Sequence, residues 1–152
     1  MVPKEKPDKL IRLPTYQRRM SSFSIQTKGK QSVTDITPEV KRLVAASGTA
    51  EGMCLVYVQH TTAAIAIKEN EDPEILVDFL DALERLVPAG AWRHDRLDGN
   101  GDAHIKAATV GPSATIPIIQ GSLTLGRFQN IFLCDFDGPR QRSVIVKIIA
   151  EK

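Results

Sequence analysis

A chain of 152 residues is the length of one domain, and 42% hydrophobic with 25% charged residues is the balance of an ordinary globular fold, not of a disordered or fibrous one. The formal net charge of +2 conceals an asymmetry: residues 1–42 hold ten Lys or Arg against four acids, and residues 43–152 hold ten against fourteen. Two cysteines, Cys54 and Cys134, each inside an apolar run, exclude a disulfide scaffold and fit buried reduced thiols, as in a cytoplasmic protein. No apolar run approaches the roughly 20 residues of a membrane helix, and the start of the chain lacks the apolar core of a signal peptide.

In chain order, residues 1–19 read as a basic N-terminal arm and 20–152 as a single domain. The arm carries no aromatic interleaving, so nucleic-acid binding is not expected from it. From Ser21 to Lys28, apolar Phe23 and Ile25 alternate with polar Ser24 and Gln26, the pattern of a half-buried strand. Gly29 supplies a turn, and Gln31-Ser32-Val33 begins a second short strand. Thr37-Pro38-Glu39 predicts a helix start, with a hydroxyl cap, Pro at the first helical position and an acid in the first turn. Val40, Leu43 and Val44 form its apolar stripe, and Ser47-Gly48 ends it.

The stretch Cys54–Asn70, CLVYVQHTTAAIAIKEN, then holds two apolar runs, Cys54–Val58 and Ala63–Ile67, joined at His60-Thr61-Thr62. Both read as buried strands, one presenting a histidine at its end and the other carboxylates. Asp72-Pro73-Glu74 repeats the helix-start chemistry. Leu76, Phe79, Leu80, Leu83, Leu86 and Val87 follow at helical spacing, so this helix is amphipathic and packs on a sheet. Pro88-Ala89-Gly90 stops it.

Residues 90–103, GAWRHDRLDGNGDA, form a polar, glycine-rich loop of the kind that often carries function. A short helix from His104 to Val110 ends at Gly111-Pro112. Ala114–Ile119, Ile131–Phe136 and Ser143–Ile149 are further strands, with turn chemistry at Gln120-Gly121-Ser122 and Asp137-Gly138-Pro139. Strands adjacent in pairs imply hairpins. The class is therefore α+β, mainly antiparallel sheets with two main helices and one short helix. No dinucleotide fingerprint or P-loop is present.

The three histidines, His60, His94 and His104, all sit in or beside the polar junctions. Neutral imidazoles are frequent ligands of a divalent metal, zinc above all, though spacings of thirty-four and ten residues make no local metal motif. Glu69, Asp98 and Asp135 are candidate acid/base groups; Asp72 has a competing task as a helix cap. Lys106, Arg140 and Arg142 are cations near turns that suit a phosphate or carboxylate, and Thr61, Thr62 and Ser113 are hydroxyls suited to an anion. Cys54, in apolar surroundings, is a poor nucleophile.

These residues also make a resemblance. His60-Thr61-Thr62-Ala63-Ala64, Glu69-Asn70-Glu71-Asp72-Pro73, Asn100-Gly101, Ala103-His104-Ile105-Lys106, Gly111-Pro112-Ser113, Gly126 with Gln129, and Leu133-Cys134-Asp135-Phe136-Asp137-Gly138-Pro139-Arg140 resemble, in order, the signature of the YjbQ family. The resemblance implies a YjbQ-like α+β fold with a sandwich-like arrangement of sheets, a homotrimer, and a polar site where the histidine-bearing segments converge, plausibly around a metal. It implies site roles for His60, Glu69, Asn70, Asp72, His94, His104, Lys106, Gln129, Asp135 and Arg140, and Asn100 is a further candidate for substrate binding. It further implies, as one labelled activity, weak thiamine-phosphate synthase chemistry, joining a pyrimidine diphosphate to a thiazole phosphate. The alternative is a trimeric binding module for an anionic metabolite, without catalysis. Three departures bear on the site: Arg127-Phe128 stands where the family has Thr-Trp, Asp135 where it often has Glu, and His94-Asp95-Arg96 where it has His-Asn-Asp.

Overall fold

The structure, a computed structural model, describes residues 20–151; the basic arm expected over 1–19 lies outside the described residues. Two antiparallel sheets face each other. The larger takes β1 (Met20–Gln26), β8 (Gln141–Ala150), β3 (Gly52–Val58), β5 (Ser113–Ile119) and β6 (Ser122–Leu123) in that spatial order. The smaller has β7 (Gln129–Asp135) between β2 (Ser32–Asp35) and β4 (Ala63–Glu69). Among the described residues three α-helices complete the fold: α1 (Thr37–Ser47), α2 (Glu74–Leu86) and α3 (Gly101–Val110). The expected α+β, antiparallel architecture is present, and every strand pairing is antiparallel.

Strand parity decides where the core lies. Successive side chains alternate faces, so Cys54, Val56 and Val58 on β3 and Val144, Val146 and Ile148 on β8 point inward. They meet Ile65 on β4 and Ile131 and Leu133 on β7, while Ile36, Val40 and Val44 of the α1 segment close the same cluster. The opposite parity on the small sheet, Ala64, Phe132 and Cys134, packs with Leu83 of α2 and Ala103 and Ala107 of α3. The small sheet is thus buried on both faces, which is why Ile131–Cys134 reads as one unbroken apolar run.

Several local expectations change in the structure. Thr37 does not cap α1. The capping position is Ile36, and Asp35 accepts the Thr37 amide at 2.8 Å instead. The Thr37 hydroxyl is spent on β7, accepting the Ile131 amide at 2.8 Å. Asp72 does serve the start of α2, its Oδ1 accepting the Glu74 amide at 3.0 Å. Leu83 on α2 and Val87 just after it are buried, whereas Leu86, at the margin of the stripe, is 74% exposed. The third helix begins at Gly101, three residues ahead of the expected start, because the polar loop turns into it through a short 3-10 segment, Arg93–Arg96. Gln120 and Gly121, both at positive φ, close a two-residue hairpin into the unpredicted strand β6. Among the described residues no helix is long and apolar enough to cross a membrane.

Candidate functional site

One end of the two-sheet stack is closed by an ion pair. Arg142, inward-facing on β8, reaches Asp135 at the end of β7, with Nη2 to Oδ1 at 2.5 Å. Asp135 is fully buried and Arg142 nearly so. The same Nη2 donates to the Thr62 hydroxyl at 2.8 Å. Asp135 also accepts the Thr27 hydroxyl at 2.6 Å and the Asp137 amide at 3.0 Å. Burial alone would raise this carboxyl. The bonds from Arg142, Thr27 and the Asp137 amide outweigh it and hold Asp135 below the usual carboxylate range. Its accepting capacity is thereby committed to three donors. The packing leaves no slack around it: a Cβ on Gly138 would collide with the Gly29 carbonyl and stand 3.0 Å from Asp135 Oδ2.

Above this pair opens a pocket of about 650 Å³, lined by Gln59, His60, Thr61, Thr62, Asp98, Asn100, His104, Asp137, Arg140, Gln141 and Arg142. That is the size of a small-metabolite site. Each wall comes from a different element: the β3–β4 junction, the polar loop, the first turns of α3 and the β7–β8 turn. An adjoining and less polar hollow, lined by Tyr57, Val58, Ala63, Ala107, Ala108 and Pro112, shares Gln59, His60, Thr61 and His104 with it.

The protonation pattern of the walls follows from their partners. His60 Nε2 accepts the Ser143 amide at 3.0 Å. An amide N–H can only donate, so this nitrogen is unprotonated and the neutral ring carries its proton on Nδ1. Burial, then the Arg142 charge, push the imidazole below its ordinary pKa, with Asp135 acting in the opposite sense. Asn100 Nδ2 donates to Asp137 Oδ2 at 2.9 Å, which also receives Arg140 Nη2 at 3.0 Å. A carboxylate only accepts, so the Asn100 amide orientation is fixed, with Oδ1 as its other end. Among the described residues, two side-chain atoms of lining residues are buried without a hydrogen-bond partner, Asn100 Oδ1 and Arg142 Nε.

His94 does not line the pocket. Its ring meets the edge of His104, centroids 4.7 Å apart at 83°, and its Nε2 stands 3.7 Å from Asp98 Oδ2. Asp95, next to it, is structural: it accepts the Trp92 amide at 2.9 Å and the Gly101 amide at 2.8 Å, which hold it below the usual range. A Cβ on Gly101 would come within 2.7 Å of Trp92 Cβ, so only glycine lets α3 start against this loop.

Other expected site residues lie elsewhere. Lys106 is fully buried on α3 and donates to Asp102 at 2.9 Å and Glu84 at 2.5 Å, bridging α3 to α2. Burial would lower its pKa, but those two carboxylates outweigh it and raise it, while Glu84 is drawn down to about 2, chiefly by the Lys106 bond. Glu69, Asn70 and Gln129 sit at the far end of the small sheet, where Glu69 pairs with Gln129. Glu69 Oε1 accepts the Glu71 and Asp72 amides at 2.8 and 3.1 Å, and Gln129 accepts the Gly126 amide at 2.8 Å, so each stabilises its own turn. Arg127 lies over the Phe128 ring beside them, 5.2 Å from its centre. Ser113 is on the outer face of the large sheet, opposite Tyr57. Asp137 and Gln141 line the pocket unforeseen. The signal for Asp137 was its place in the Asp137-Gly138-Pro139 turn, two residues past the end of β7.

Among the described residues, no group of three or more His, Cys, Asp or Glu side chains stands close enough to hold a metal ion. The three-histidine set does not fit a metal as arranged, because His60 Nε2 is spent on Ser143 and His94 faces His104.

Fold and site together define an α+β protein of two stacked antiparallel sheets with a polar, arginine- and histidine-lined pocket at one end. The family model described as UPF0047 protein YjbQ-like matches residues 21–151, and the chain belongs to that family. It is 42% identical over 135 residues to a UPF0047 protein of Methanocaldococcus jannaschii, covering 89% of this chain and 97% of the relative. To the UPF0047 protein YugU of Bacillus subtilis it is 37% identical over 133 residues, covering 86% and 98%. Among solved structures it is similar to a YjbQ/UPF0047 family protein of Clostridium acetobutylicum, with TM-score 0.82, 44% identity and coverage of 85% and 99%. A protein of unknown function from Sulfolobus solfataricus matches with TM-score 0.84, 33% identity and coverage of 87% and 96%.

Proposed function

We propose that the pocket takes a small phosphorylated molecule and that His60 and His104 serve its chemistry. One observation carries this reading: Arg140, its side chain 57% exposed, and Arg142 bring two guanidinium groups to one pocket that His60 and His104 also line. Two guanidinium groups at one pocket suit a phosphate. The start of α3 at Asn100 adds the positive end of a helix dipole. Among the described residues, the His104 ring makes no side-chain hydrogen bond to the protein, which leaves its nitrogens available to a bound molecule. A divalent metal, zinc by its preference for imidazole, would draw on His104 and Asp98 of the lining, and His60 would join only by giving up Ser143. The transferase reaction to assay first is the thiamine-phosphate synthase type, in which the arginines would hold a diphosphate.

A second reading, a binding module without catalysis, is favoured by one specific feature: Glu69 and Asp135 both have their oxygens committed to hydrogen bonds within the protein. We also read the protein as cytoplasmic, in keeping with two free buried thiols, and as a homotrimer. The outer face of the large sheet supports the trimer, with Met53, Tyr57, Ile119 and Ile149 between 37% and 52% exposed and Met53 paired to Ile149 across the strands.

Thermal shift and calorimetry with inorganic phosphate, pyrimidine diphosphate, thiazole phosphate and zinc test the readings together. Phosphate compounds raise the melting temperature, and Arg140→Ala removes most of the rise. Turnover abolished in His104→Ala supports the enzyme; binding without turnover supports the module. If no phosphate compound binds, both fail. Zinc is refuted if purified protein lacks stoichiometric metal, binds none added, and His104→Ala changes neither.

A further inference from the structure

On the reading that the polar pocket binds phosphate, the hollow beside it bears on what the phosphate is attached to. Gln59, His60, Thr61 and His104 line both cavities, so a molecule seated in the first borders directly on the second. The hollow encloses about 700 Å³, enough for an organic group and far more than an ion needs.

The walls of the two cavities differ in chemistry. Asp98, Asp137, Arg140 and Arg142 belong to the polar pocket and not to the hollow. Tyr57, Val58, Ala63, Ala107, Ala108 and Pro112 belong to the hollow and not to the polar pocket, and none of these six carries a charged side chain. The backbone of that wall is spent as well. The Val58 amide donates to the Pro112 carbonyl at 2.9 Å, and the Ala107 carbonyl accepts the Gly111 amide at 2.9 Å. Pro112 has no amide N–H to offer. A charged or hydroxyl-rich group placed there would give up water for few new partners, whereas an apolar group gains in proportion to the area it buries.

We infer that the hollow receives an uncharged, apolar organic group carried by the phosphorylated ligand, and that Tyr57, Ala107, Ala108 and Pro112 set this preference. The phosphate lies toward Arg140 and Arg142, and the ester linkage passes beside His60 and His104, which line both cavities. The rival occupant is a second copy of the chain, because Tyr57 also belongs to the outer face of the large sheet. The four residues shared with the polar pocket favour the ligand: they make the hollow continuous with the phosphate site.

The full-length chain is titrated by calorimetry with inorganic phosphate, glycerol 3-phosphate and phenyl phosphate. Phenyl phosphate is expected to bind at least about tenfold more tightly than glycerol 3-phosphate, the effect of burying roughly 60 Å² of apolar surface. Nuclear magnetic resonance of isotope-labelled alanine methyl groups locates the ring. Its ring current moves the methyl signals of Ala63, Ala107 and Ala108, which inorganic phosphate moves much less. Ala45, in a separate cleft beside β6, stays still. A smaller affinity ratio overturns the inference and leaves the phosphate reading standing. So do methyl signals that respond to phenyl phosphate no more than to inorganic phosphate, the result expected if a second copy fills the hollow. Failure of all three compounds to bind overturns the phosphate reading and this inference with it.

Discussion

Replacing Lys106 by Met removes the only cation from a buried pair while keeping most of the side-chain volume. Asp102 is left fully buried, with Oδ1 already lacking a partner and Oδ2 losing its bond to Nζ. Breaking a buried pair from one side costs about 3–5 kcal/mol, because the remaining charge is uncompensated. The Glu84 arm adds little. Its side chain is 44% exposed, and water screens such a pair to roughly 0–1 kcal/mol. The expected loss is therefore about 3–5 kcal/mol, roughly two to three and a half decades in the folding equilibrium, read as a fall in the urea midpoint at an unchanged slope. Adding Asp102→Leu to Lys106→Met removes the stranded carboxylate and recovers most of the loss, since an apolar replacement of a buried pair is often neutral or better. Phosphate affinity of the folded fraction stays within about twofold, because Lys106 lies outside the pocket lining. The reasoning is refuted if Lys106→Met is as stable as the parent yet loses phosphate binding, which would make Lys106 a ligand-binding cation.

Two further outcomes follow from the charges and the outer surface. His60 has a folded-state pKa below its ordinary value near 6.5, so the native chain takes up a proton less readily than the unfolded one. Its contribution makes stability fall as pH drops below about 6.5, and a second loss follows below about 4.5 as Glu84, drawn down to about 2, and Asp135 are protonated. Thermal unfolding from pH 8 to pH 3 shows both steps; His60→Gln flattens the first, and a melting temperature that holds steady from pH 7 to 5.5 sinks the assignment. Met53→Lys, placed on the outer face of the large sheet, is expected to turn a trimer into monomers in sedimentation velocity without lowering the helix signal in circular dichroism; monomeric parent protein refutes the trimer.

The fold was legible where one force dominates. Unbroken apolar runs marked β3, β4 and β7, and the 3.6-residue stripe marked α2. Cap chemistry was less so, because Thr37 and Asp35 both had the right side chains and only the neighbouring strand decided which one each would serve. The motif residues split by geometry. His60, Thr61, Asn100, His104 and Arg140 come to one pocket, while Glu69 and Asn70 cannot join them, since six residues of extended strand from Ala63 to Glu69 span about 20 Å. That distance was available from the strand length alone. The fate of Lys106 was not: its i−4 neighbour Asp102 is visible in the sequence, but its burial depends on α2 crossing over it with Glu84.

The small sheet lies between two layers of side chains, and β7 has a strand on either side of it. Its central amides are the last expected to exchange with solvent, opening only with the whole molecule. The pocket floor is anchored there, through Asp135 at one end of β7 and Thr62 just ahead of β4. The roof, from Asp98 to Asn100, hangs from a loop and a helix start. Proton–deuterium exchange would therefore see the same pocket as two materials, a floor that moves on the timescale of global unfolding and a roof that moves far more often.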